Sequence, residues 1–114
     1  MSLVAIVARD LIIATRIAEA AAAAGREAVR VDEPHDLPDA SSVAIAFIDW
    51  GDRAPGWGAT LASWVAGAAE ARPRLIVFGP HTDIEAHRAA RSAGIGPMLA
   101  RSKLFADLPR QLRH

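Results

Sequence analysis

The most constraining stretch of the chain is Val43-Ala44-Ile45-Ala46-Phe47-Ile48-Asp49, an apolar run that ends directly on a carboxylate. A loop dense in turn formers follows at once, Trp50-Gly51-Asp52-Arg53-Ala54-Pro55-Gly56-Trp57-Gly58. An unbroken apolar run of this length, bounded by turn residues, predicts a strand covered on both faces. Such strands belong to parallel sheets with helices packed above and below. In open sheets of that kind, ligands and chemistry collect at the carboxyl ends of the strands. Asp49 stands at such an end.

The flanking sequence supports the same architecture. Leu3 to Ala8 is a second continuous apolar run and predicts another buried parallel strand, ended by Arg9-Asp10. Asp10 is suited to cap a helix from Leu11 to Ala24, in which Ile13, Ile17, Ala20, Ala21 and Ala24 share one face and Gly25 is the stop. Ala28 to Val31 alternates apolar and polar, the pattern of a strand near a sheet edge. From Asp32 to Ser42, Pro34 and Pro38 leave room for one helical turn around His35 to Leu37 but not for a full helix.

After the Trp/Gly loop, Ala59 to Ala71 predicts a helix with Leu61, Trp64, Val65 and Ala68 inward and Pro73 beyond its end. Leu75 to Phe78 is a fourth strand, stopped by Gly79-Pro80. Thr82 or Asp83 caps the next helix, with Glu85 placed for a capping box on Thr82, and Gly94 closes it. Pro97 to Ala100 is the expected last strand. Ser102 is the expected cap of a final helix from Lys103 to Leu112, its regularity limited by Pro109. Strands alternating with helices over short connections argue an α/β chain, a parallel sheet covered on both sides with right-handed crossovers.

Composition bounds the function. A chain of 114 residues fits one domain, residues 1–114, and a 52% hydrophobic content supplies its core. Cysteine is absent, which removes any disulfide framework or thiolate metal site and fits a reducing compartment. Basic and acidic residues both number 13, a balance with no general pull toward nucleic acid or an anionic membrane. The apolar N-terminus is interrupted at Arg9 and Asp10, and Leu11 to Gly25 carries Arg16 and Glu19, so neither stretch suits a membrane span. The expected setting is the cytoplasm.

Four places in this order resemble the receiver domain of two-component response regulators. Ala46-Phe47-Ile48-Asp49 looks like the third receiver strand ending on its phospho-accepting Asp. Ala54-Pro55-Gly56-Trp57 is similar to the Pro-Gly loop that follows it, set about two residues later. Leu75 to Asp83, with His81-Thr82-Asp83, resembles the fourth strand and its helix start, and Ala89 to Gly94 the helix end before the last strand. The resemblance covers nearly the whole chain. It implies a three-layer flavodoxin-like, CheY-like α/β sandwich whose five parallel strands run in the order 2-1-3-4-5. It also implies a signalling role carried by protein partners, whether an output domain, a kinase or a second copy, with no enzyme activity of its own.

Receiver chemistry uses a phospho-accepting carboxylate, two further acids that hold Mg²⁺, a Ser/Thr hydroxyl and a Lys. Here only Asp49 stands as the phosphoacceptor equivalent. The acid pair falls on Ala8 and Arg9, with Asp10 one step late; the hydroxyl falls on Gly79; the lysine falls on Arg101, followed by Ser102. The aromatic position of the last strand falls on Met98. One carboxylate beside Arg9 and Arg101 is a poor Mg²⁺ site, so neither a metal nor another cofactor is expected. In its place, an Asp beside a guanidinium stays ionised and can pair with it in a bidentate way, replacing Mg²⁺ or, the preferred reading, simply supplying the cation that a partly buried carboxylate needs. The pocket is accordingly placed at Ala8, Arg9, Asp10, Gly79 and Arg101.

The resemblance puts the contact surface in the region from Arg88 to Leu112, where receivers form dimers and meet outputs. Trp57, Met98 and Lys103 are the candidate interface residues. Tryptophans in the Trp50–Gly58 loop suit an interface anchor or, equally, rings folded over the sheet edge to plug the vacated metal site. Two further readings stay open: a flavodoxin-like small-molecule or nucleotide site at Arg9, Asp49, Gly79 and His81, and an unusual working receiver whose metal is held by Asp10 and Asp49. The loop glycines form no phosphate-binding motif. His35, His81, His87 and His114 are too scattered for a shared metal. Arg88, Arg91, Arg101, Lys103, Arg110 and Arg113 read as solvated charges rather than a nucleic-acid patch.

Overall fold

The computed structural model describes residues 3–113. Five parallel strands form one sheet in the order β2-β1-β3-β4-β5. They are β1 (Leu3–Val7), β2 (Ala28–Val31), β3 (Val43–Asp49), β4 (Arg74–Gly79) and β5 (Leu99–Ala100). The helices are α1 (Leu11–Ala23), α2 (Trp57–Ala66), α3 (Ile84–Ser92), α4 (Arg101–Ala106) and α5 (Leu108–Gln111). This is the expected flavodoxin-like α/β sandwich. β3 lies in the middle, in register with β1 through Phe47 opposite Ile6 and with β4 through Asp49 opposite Phe78.

The two continuous apolar runs are explained by two cores, one on each face of the sheet. Val4, Ile6, Ile45, Phe47, Ile76 and Phe78 face α1, α4 and α5, where Ile13, Ile17, Leu104, Leu108 and Leu112 complete the layer. Ala5, Val7, Ala46, Ile48 and Val77 point the other way, onto Trp50, Trp57, Leu61, Ala86, Ala90 and Met98. Successive side chains alternate between faces, so a strand buried on both sides has no polar position to spare. Each fully buried Ile or Phe of β3 contributes about 1.5–3 kcal/mol over an exposed one.

The element boundaries follow local chemistry. Asp10 caps α1 as its position implied, its Oδ1 accepting from the backbone N–H of Ile12 at 3.0 Å and of Ile13 at 3.2 Å. Gly25 turns out of α1 with φ 75°, a conformation open to glycine at little cost. β2 is an edge strand, half-buried along most of its length. Between β2 and β3 only the 3₁₀ turns Pro34–Asp36 and Ala40–Ser42 form, because the prolines deny a longer helix its hydrogen bonds.

Other boundaries differ from the sequence reading. α2 begins at Trp57, not Ala59, and ends at Ala66, not Ala71. Gly67 ends it, and the chain then turns through Ala69 in the left-handed region. Asp83 alone caps α3, accepting from the N–H of Ala86 at 3.0 Å, which places Glu85 too early for a capping box. β5 is two residues long, since Pro97 has no N–H to give a ladder. The last helical segment starts at Arg101, so Ser102 lies inside it, and it divides at Asp107 into α4 and α5. Among the described residues no helix is long and apolar enough to cross a membrane.

Candidate functional site

Asp49 is the last residue of β3 and the one buried charged residue among those described, 2% exposed. The chain turns immediately after it through a 3₁₀ turn, Trp50–Asp52. This places the carboxylate at the floor of an open cleft of about 430 Å³, lined by Arg9, Asp10, Asp49, Gly51, Asp52 and Arg101. Four of the residues that the sequence assigned to a pocket, Arg9, Asp10, Asp49 and Arg101, therefore meet. Gly51 and Asp52 join them, brought in by the tight turn. His81 is exposed and lies outside the lining; its carbonyl meets the His87 ring nitrogen at 2.9 Å. His114 lies outside the described residues.

Ala8 and Gly79 do not line the cleft. The Ala8 carbonyl accepts from Arg30 Nη1 at 3.1 Å and its N–H donates to Val31 at 3.2 Å, so its backbone is held into the sheet. Gly79 is covered: a Cβ there would lie 2.9 Å from Met98 Sδ and 3.2 Å from the Gly51 nitrogen. The space above the end of β4 is thus filled by a neighbour's side chain and backbone.

The expected bidentate arginine pair is not formed. Arg101, the first residue of α4, brings Nη2 to 3.8 Å from Asp49 Oδ1, beyond hydrogen-bonding reach, with its side chain 42% exposed. Arg9 turns away, 3.8 Å from Glu33 and 5.9 Å from the Trp57 ring centroid. Asp49 Oδ1 and Arg101 Nε are both enclosed without a hydrogen-bond partner. Burial pushes the Asp49 carboxyl above its ordinary 3.8. Arg101 pulls the other way without reversing it, and Asp52 and Asp10 add to the rise. The carboxylate is accordingly held less readily ionised than a close Arg partner would have made it.

Three carboxylates, Asp10, Asp49 and Asp52, line the cleft beside two arginines, a mixed donor set for a hard cation such as Mg²⁺. Asp10 spends its Oδ1 on the cap of α1, a guanidinium stands beside Asp49, and among the described residues no three His, Asp or Glu come together to hold a metal ion.

Two of the candidate interface residues are in the core. Trp57 is 3% exposed and Met98 5%, both packed in the layer under α2 and α3. Trp57 starts α2 facing the sheet, and Met98 fills the space above Gly79. Lys103 is exposed on α4. Trp50 is also buried, its indole N–H donating to the Ala86 carbonyl at 2.9 Å. The tryptophans do fold inward, but onto α3 rather than over the acidic cleft. There they and Arg53, a residue to which the sequence drew no attention, line an open groove. The signal available was Arg53 itself, a cation set between two tryptophans in a Gly/Pro loop.

No protein-family model matches the chain, and no curated protein matches it. Among solved structures it is similar to one from Burkholderia pseudomallei, provisionally described as a pilus assembly-related protein. The TM-score is 0.68 at 14% identity, over 99% of this chain and 87% of that one. At that identity the likeness is one of fold, and it agrees with a five-stranded parallel sheet of the CheY-like, flavodoxin-like order.

Proposed function

We propose that residues 1–114 form one receiver-like domain of two-component type that signals through protein contacts and not through Mg²⁺-dependent phosphorylation of Asp49. The observation that carries this reading is the isolation of Asp49. It is buried, it has no hydrogen bond at Oδ1, its acid-pair positions hold Ala8 and Arg9, and the hydroxyl position at Gly79 is closed by Met98 and Gly51. Phosphoryl transfer needs charge neutralisation at the incoming oxygens, and this cleft offers two half-exposed arginines, Arg9 and Arg101, in place of a metal and a lysine. The domain then acts by shape, as a non-enzymatic cytoplasmic module.

On this reading the contact surface is the region from Arg88 to Leu112, with Lys103 the exposed member of the expected set. Its partner is an output domain, a kinase or a second copy, with neither nucleic acid nor membrane involved. The nucleotide-site alternative loses support because Gly79 and His81 do not line the cleft, and the metal-bound alternative because Asp10 is spent as a cap. The test is thermal melting with Mg²⁺ and beryllofluoride, a mimic of the phosphoryl group. No shift is expected. A stabilisation that disappears in Asp49→Asn overturns the proposal.

A further inference from the structure

The loop after Asp49 borders a second opening on its other side. This open groove of about 460 Å³ is lined by Trp50, Arg53 and Trp57 from the loop and the start of α2, by Ala89 from α3 and by Ala93 just past its end. Its volume would admit a small organic molecule. No carboxylate lines it. Its one formal charge is Arg53, half-buried, which donates through Nη1 to the Trp50 carbonyl at 3.2 Å and stands 5.1 Å from the Trp50 ring centroid. Arg53 makes no ion pair among the described residues.

A guanidinium has five N–H donors in a planar fork, so most of its donating capacity is unspent here. The remaining polar features have the same sign. The Trp57 indole N–H is buried without an acceptor. α2 begins at Trp57 with no side-chain cap, leaving its positive end uncompensated. Among the side chains of the lining, Arg53 is the one charged donor. The buried rings of Trp50 and Trp57 lie at its base, and small side chains, Ala54, Ala89 and Ala93, border it.

We propose that this groove binds a small apolar carboxylate of the aromatic-acid kind, its carboxylate paired with the Arg53 fork and its apolar body laid across the loop, Ala89 and Ala93. The planar fork matches a carboxylate in a bidentate way, and the mostly apolar lining favours an apolar body. The site is distinct from the Asp49 cleft, and its occupation does not depend on how Asp49 is used.

The test titrates the protein with benzoate and indole-3-acetate, with the neutral amides of both, and with inorganic phosphate. Tryptophan fluorescence and the indole N–H resonances are the readouts. Saturable binding of at least one carboxylate is expected, with the matching amide and phosphate each roughly tenfold weaker or worse. Arg53→Gln should weaken the carboxylate roughly tenfold, while Arg88→Gln, which removes the same charge from an exposed position on α3, should not. Ala89→Leu should fill the groove and abolish binding; if that variant fails to fold, Arg53→Gln still decides. The proposal is overturned by the absence of a saturable response to both carboxylates up to about 10 mM, by amides or phosphate binding equally well, or by full retention of affinity in Arg53→Gln.

Discussion

The two openings on either side of the Asp49–Trp57 loop share a sheet edge and a connecting segment, yet their chemistry differs. The cleft toward α1 and α4 brings acids and arginines together without pairing them: Asp49 Oδ1 and Arg101 Nε are both enclosed and unmatched, 3.8 Å being the nearest approach of Arg101 to Asp49 Oδ1. The groove toward α3 has no lining carboxylate: Arg53 makes no ion pair among the described residues and donates to the Trp50 carbonyl, and the Trp57 N–H is unmatched. Buried polar groups are almost always paired. Among the described residues four enclosed side-chain atoms are not, and three of them, on Asp49, Arg101 and Trp57, belong to residues lining these two openings. The fold is well satisfied elsewhere, so the deficit marks both sides of one loop as places where the chain leaves polar capacity unused. The difference follows from the neighbouring elements, acids from the cap of α1 and the 3₁₀ turn on one side, and alanines from α3 and its end on the other.

Trp57 divides the two sides, and its removal should have the largest effect. Trp57→Ala should cost about 4 kcal/mol in urea unfolding, since it empties a site that is 3% exposed. An exposed anchor would cost under about 0.5 kcal/mol, and that result would return Trp57 to an interface role.

Next in size is a substitution at the covered end of β4. Gly79→Ser introduces a hydroxyl where a Cβ meets Met98 Sδ at 2.9 Å. It should cost about 1–3 kcal/mol by overpacking. Because the two residues share one space, Gly79→Ser with Met98→Ala should lose less than the sum of the single losses, as a double-mutant cycle would reveal. Additive losses would mean that Met98 does not occupy the hydroxyl position.

The smallest effect concerns the charge of Asp49. Its carboxyl is raised above 3.8 chiefly by burial. The native state therefore keeps its proton to higher pH than the unfolded chain. The stability linked to this group is fully present below the unfolded value and falls as pH rises from there through the folded value. Asp49→Asn should remove that slope and be more stable than the parent at pH 7 by about 1 kcal/mol. Their stabilities should converge as pH falls toward 3.8. A parent protein that gains stability relative to Asp49→Asn as pH rises would mean that Arg101 closes on the carboxylate in solution.

Much of the fold was legible because its signals are local or strictly periodic. Two doubly buried strands announce themselves as runs without polar positions, Asp10 caps a helix within three residues of itself, and paired prolines forbid the helix between β2 and β3. The boundaries that moved, at Gly67, Pro97 and Asp107, depend on how a helix end or a short strand meets the layer beneath it. The candidate site was legible as a set of positions but not as a geometry. Arg9, Asp10, Asp49 and Arg101 were assigned to one place and share it. Their distances were not predictable, because long arginine side chains choose among partners that sequence does not locate, and Arg9 settles beside Glu33 and Trp57.

The sequence by itself determined the α/β alternation, the central place of the Val43–Asp49 strand and the carboxylate at its end, since these depend on residue identity and short-range spacing. Only the tertiary structure decided that Trp57 and Met98 face inward, that Gly79 is covered, that Asp49 lacks a close partner and that Arg53 overlooks a groove. Those outcomes rest on which surfaces meet when β3, α3 and α4 pack, and contacts between segments far apart in the chain carry no local signal.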